Sequence, residues 1–253
     1  MPSGSTGTPA ASVAVARLCG LHRHHDMVRY DGRAMDMVAN LDDDALRARV
    51  LSVYGTALAH AGQPRRAIGF LVEATARYHA LGRPVPVAIC LTNAAEIAFG
   101  LRWYEEALAM LRHSLAMLRH SRAVPREADA WFLGALLDGF AKVHLRLGRP
   151  RTAVRYATAS LAHSERMRNT FQRVHTLHWR SLAWHELGND RDAVDDAWAA
   201  VALARDSGGP ELELEALRHL AAVYWMTGDD RAAETLALAD ELVLVPSPGA
   251  PDR

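Results

Sequence analysis

The chain has 253 residues, half of them hydrophobic, and 29 basic residues balance 29 acidic ones to a formal net charge of zero. That balance excludes a protein whose affinity rests on neutralising many phosphates, and no run of about 18 apolar residues is present to span a bilayer. Lys142 is the only lysine among the basic residues, a bias towards arginine that fits a high-GC bacterial source.

Cys19 and Cys90 are far apart and match no zinc or disulfide spacing. The opening MPSGSTGTPA has no positive segment followed by an apolar run, so a cytoplasmic location is expected. Residues 1–10 read as a disordered start. Residues 11–41 read as a degenerate helical hairpin that caps the chain, with HRHHD (His22, His24, His25, Asp26) at its turn. DDD at 42–44 supplies an N-cap and favourable charge for the helix that follows.

From there a unit recurs five times. YGTALAHAGQPRRAIGFL (54–71) returns from 94, 140, 180 and 220, as in FAKVHLRLGRPRTAVRYA and RSLAWHELGNDRDAVDDA. Each copy is an amphipathic run, a short turn and a second run, which predicts helix–turn–helix. Gly62, Gly148, Gly188 and Gly228 stand where a left-handed residue ends the first helix, with Arg102 as the exception. Small residues (Gly55, Ala95, Ala141, Ser181, Ala221) let the paired helices approach. An alanine opens each second helix: Ala67, Ala107, Ala153, Ala193 and Ala233, all expected to be buried. One hairpin cannot cover its own apolar faces, so the copies must stack into an all-α solenoid.

The alanine spacing is 40 residues except for 46 between Ala107 and Ala153. There LAMLRHS is written twice (108–121). Two heptads are too few for a coiled coil. The duplication predicts a lengthened second helix ending near Ser121, with a restart at Pro125. SGGPE (207–211) separates two further helices, and the tail after residue 243 reads as disordered. The expected units are therefore a single solenoid over 11–243, with repeats at about 45–82, 85–121, 126–168, 171–207 and 210–243.

This pattern resembles the tetratricopeptide repeat (TPR) family, whose second-helix signature WYEEALAML approaches through Trp103, Tyr104, Ala107 and Leu108. The period departs from the family's usual 34 residues, as in lengthened repeats of bacterial, actinomycete-type transcription regulators. The resemblance implies about six hairpins in a right-handed superhelix and a concave groove that holds a peptide or partner-protein segment. It implies a regulatory, non-enzymatic role without cofactor or metal and without direct contact to nucleic acid or membrane. A homodimer through the terminal hairpins is compatible with it.

Carried over copy by copy, the groove positions are Arg49, Thr56 and His60, then Asn93 and Glu96, then Asp138, Lys142 and Arg146. The later copies contribute His175, His178, Trp179 and His185, then Arg218, His219 and Trp225. The family's lysine-asparagine clamp for a terminal carboxylate is matched at Asn93 only, because Ser52 and Thr56 occupy its other positions. No phosphate-binding loop, HExxH or GxSxG motif occurs. The alternative reading is a pocket in the C-terminal half, for a small molecule or an unusual reaction. It would use His175, His178 and His219 with Asp138 or Glu186 nearby, since imidazoles and carboxylates suit zinc or general-base chemistry.

Overall fold

A computed structural model describes residues 43–120 and 127–244. The expected terminal segments (1–10, the 11–41 hairpin with its histidines, and the tail after Leu244) and the restart at Pro125 lie outside the described residues.

Those residues form ten helices: α1 (Asp44–His60), α2 (Pro64–Ala80), α3 (Pro84–Gly100), α4 (Tyr104–His120), α5 (Glu127–Arg146), α6 (Pro150–Arg166), α7 (Thr170–Glu186), α8 (Asp190–Ser207), α9 (Pro210–Thr227) and α10 (Ala232–Leu244). Consecutive helices pair as hairpins that stack into an α-solenoid. The chain divides into two compact units, one ending at Val124 and holding α1–α4, the other beginning at Pro125 and holding α5–α10. Among the described residues no helix is long and apolar enough to cross a membrane.

Local chemistry sets the helix ends. Asp43 caps α1, its Oδ1 accepting from the Ala45 and Leu46 amides at 2.8 and 3.1 Å. Proline opens α2, α3, α6 and α9, where its missing N–H costs nothing. The four hairpin glycines adopt φ between 68° and 77°, and Arg102 adopts the same left-handed conformation at φ 64°. The chain then closes each helix by a six-to-one bond, as where the Trp103 amide donates to the Ala98 carbonyl at 2.9 Å.

The small residues act as expected. A Cβ on Gly55 would stand 3.0 Å from Leu71 Cγ and 3.1 Å from the Ala67 carbonyl oxygen. Ser181 is fully buried and donates to the Ala193 carbonyl at 2.7 Å. Buried hydroxyls join neighbouring helices in both units. Ser114 donates to the Ala88 carbonyl in the first, and Ser160 to the Gly134 carbonyl in the second. The second unit's core is rich in alanine, with Ala193, Ala197, Ala200, Val201 and Ala204 of α8 packed on Leu217, Leu220 and Tyr224 of α9.

The helix that carries the doubled heptad, α4, is described over Tyr104–His120, and Ser121 lies outside the described residues. One expectation, about the five alanines, needs correction. Ala67, Ala107, Ala153 and Ala193 are at most 1% exposed, whereas Ala233 is exposed, because no further hairpin among the described residues covers α10.

Candidate functional site

The richest cluster of polar and aromatic side chains lies on the first helices of the second unit, α5, α7 and α9. These helices share a register of 40 residues, so equivalent positions on successive helices come side by side. Trp179 of α7 is its centre. The Arg146 guanidinium stands 5.4 Å and the Lys142 ammonium 5.8 Å from its ring, within cation–π range. His178 meets the same indole edge-on at 5.1 Å. Lys142 also pairs with Asp138 at 3.3 Å, and Asp138 accepts from the Thr176 hydroxyl at 2.9 Å.

His178 packs on His219 of α9 with ring centroids 3.5 Å apart and planes tilted by 33°. Burial, then the charges of His175, Arg146 and Lys142, holds His178 at a pKa of about 4, below the ordinary 6.5. His219 is pushed well below that ordinary value by burial and then by His178. Both rings are therefore neutral at physiological pH, and an imidazolium at either position would face another imidazole across van der Waals distance. His175 pairs through Nδ1 with Glu215 at 3.3 Å and meets Phe171 edge-on at 4.2 Å. Glu215 is exactly one repeat beyond His175, a signal available in the sequence once the 40-residue offset is applied across helices.

The structure thus brings Asp138, Lys142, Arg146, His175, His178, Trp179 and His219 together. Asp138 and His219 are buried at 3% and 6% exposure, and Arg146 is exposed. His185 lies apart, at its own turn, with Nδ1 2.7 Å from Asp190. Glu186 is exposed at the end of α7. Arg218 pairs with Asp240 at 3.9 Å, and Trp225 is 82% exposed; both face the groove between α9 and α10. In the first unit Arg49, His60 and Glu96 are exposed and Asn93 is half-buried. The Thr56 hydroxyl donates to the Ser52 carbonyl one turn back at 3.1 Å.

Among the described residues no three His, Cys, Asp or Glu side chains are arranged to hold a metal ion. Of the three rings nominated from the sequence, His178 and His219 pack on each other and His175 pairs with Glu215. Sequence reasoning missed Phe171, which is 62% exposed beside His175, and the partly buried pair of Arg180 and Asp196, whose two hydrogen bonds are both 2.7 Å. An Arg and an Asp sixteen residues apart carry no periodic signal; their meeting depends on α7 folding back on α8.

No protein-family model matches the chain, and no curated protein matches it by sequence. Solved structures do. A putative kinesin light chain of Podosopora anserina with nearly identical TPR-like repeats is 17% identical, with a TM-score of 0.63 over 80% of this chain and 97% of that one. BtubC of P. vanneervenii is 14% identical at a TM-score of 0.65, covering 98% of this chain and 96% of the other. A Rap protein in complex with Competence and Sporulation Factor is 14% identical at 0.67, covering 83% of this chain and 58% of its own.

Proposed function

Taking the chain as what its fold makes it, a tetratricopeptide-like repeat protein, we propose that it is a non-enzymatic binding module that holds a peptide or partner-protein segment across the first helices of its second unit. The observation that carries this reading is Trp179 flanked by Arg146 and Lys142. Tryptophan and arginine are the residue types that most often anchor interfaces, and an exposed guanidinium offers a carboxylate a two-pronged partner. The solved complex of a Rap protein with Competence and Sporulation Factor supports a binding role for this architecture. The imidazoles support binding over catalysis: His178 rests on His219, His175 on Glu215 and His185 on Asp190. A regulatory role in the cytoplasm, without direct contact to nucleic acid, completes the proposal. We propose that the groove positions of the first unit (Arg49, Thr56, His60, Asn93 and Glu96) serve binding on that unit's own first helices.

The test is a displayed library of random peptides selected on the full chain, with the enriched peptides measured by calorimetry. R146A/W179A is expected to weaken them at least tenfold in protein whose far-ultraviolet circular dichroism shows it still folded, and R146A alone to weaken them in the same direction. If no peptide is enriched, or the enriched peptides bind the variant equally well, the reading fails.

A further inference from the structure

The second unit repeats one packing step. The first helix of each hairpin sits in the groove between the two helices of the hairpin before it. Thus α7 sets Trp179, Leu182 and Ala183 against Leu145 of α5 and Ala153 of α6. In the same way α9 covers α7 and α8. The equivalent groove between α9 and α10 has a volume of about 700 Å³.

Register makes the comparison exact in position. Leu145 is 2% exposed, and two repeats later Trp225 is 82% exposed. Ala157 and Ala197 are fully buried, whereas Ala237 is exposed. Leu236, on the floor of the groove, is 47% exposed. The floor is completed by Ala221, Ala222 and Ala233. It therefore has the shape and small-residue lining that, one and two hairpins earlier, accommodate a helix.

The rim specifies the charge of the occupant. Residues 210–244 contain eight acidic residues and two arginines, within a chain whose overall charge is zero. Both arginines are engaged: Arg231 with Asp229 at 2.7 Å and with the Tyr224 ring, and Arg218 with Asp240. Asp229 and Asp230 line the groove, Asp240 reaches it through Arg218, and Asp230, Glu234 and Glu241 are exposed on the same two helices and their turn. A second copy of the same surface would oppose acid to acid. A helix with arginine or lysine beside its apolar stripe would meet complementary charge along the rim and an apolar floor beneath.

We propose that the groove between α9 and α10 is a docking seat for a basic amphipathic helix of a partner protein. The seat continues the solenoid with a helix supplied by another chain. It is distinct from the Arg146–Trp179 face and stands independently of the function proposed for that face.

Two synthetic helices from this chain serve as probes, because each fills an equivalent groove here. One copies α7 (residues 169–187), which carries Arg173 and Arg180 against one Glu. The other copies α9 (residues 210–227), which carries three Glu against one Arg. By fluorescence anisotropy on the full chain, the α7 copy is expected to bind at least tenfold tighter than the α9 copy. Its R173E/R180E form is expected to lose that advantage. W225E/L236E in the protein should weaken binding at least tenfold, and R146A/W179A should leave it unchanged. Equal affinity for the basic and acidic helices, or binding indifferent to W225E/L236E, overturns the proposal. Hydroxyl-radical footprinting and sedimentation of the free chain complete the test. Rapid oxidation of Trp225 in a monomer supports an open seat. Protection of Trp225 in a monomer means that a segment of this chain occupies the seat, and a dimer abolished by W225E/L236E means that a second copy does; either result overturns the proposal.

Discussion

Acid should destabilise the second unit through the paired imidazoles of His178 and His219. Above pH 6.5 both rings are neutral in the folded and unfolded chain alike. Below it the unfolded chain takes up protons that the folded chain refuses, since folded His178 does not titrate until about pH 4. Stability contributed by the neutral pair is therefore present above pH 6.5 and is lost as pH falls. The interval from 6.5 to about 4 corresponds to about 3 kcal/mol for His178 alone, at 1.36 kcal/mol per unit. His219 is depressed in the same direction, so the slope between pH 6 and 5 exceeds that of one histidine. The groups facing the pair are His175, Lys142 and Arg146, which add to the repulsion, and Glu215, which pairs with His175.

The assay is guanidinium unfolding followed by far-ultraviolet circular dichroism at pH 7, 6, 5 and 4.5, for the wild type beside H178Q/H219Q. Carboxylates contribute acid sensitivity to both proteins equally, so the difference in slope isolates the imidazoles. The wild type should lose at least about 2–3 kcal/mol more than the variant between pH 7 and 4.5, the share of His178 alone, with His219 adding to it. Parallel slopes, or a His178 resonance that titrates near pH 6.5 in the folded protein, would refute the reasoning.

Three further outcomes are expected. Gly55→Leu should cost about 2–3 kcal/mol of unfolding free energy, because even a Cβ there meets Leu71 and the Ala67 carbonyl at close to 3 Å; a denaturation midpoint within error of wild type would contradict the close approach. Asp196→Ala should cost about 2–3 kcal/mol by stranding the Arg180 guanidinium, a value reduced from that of a fully buried pair because Arg180 keeps 22% exposure. Adding Arg180→Leu should recover part of that loss, and a double variant no better than the single one would place the cost elsewhere. Arg168 holds a left-handed φ of 51°, so Arg168→Gly should stabilise by about 0.5–1 kcal/mol in the same denaturation experiment; a loss of stability would show that the side chain supports the turn.

Most of the helical architecture was legible because its signals are local. A turn residue with positive φ, a proline at a helix start and an alanine where two helices touch each act within a few residues, and five copies reinforce one another. Burial at the candidate site was less legible. Asp138 and His219 share a polar periodicity with exposed neighbours such as Arg146, and only packing against α7 separates them.

Taken alone, the sequence determined the helix–turn–helix unit, its 40-residue register and the small residues that let paired helices close, since these follow from backbone conformation and apolar period. Tertiary structure alone decided that His178 rests on His219, that two cations of α5 meet the Trp179 ring, and that Ala233 and Ala237 stand uncovered while their equivalents are buried. Such outcomes depend on which surface lies opposite a side chain. Hairpins nearly identical in pattern differ in exposure because, among the described residues, one is covered by its successor and α9–α10 is not.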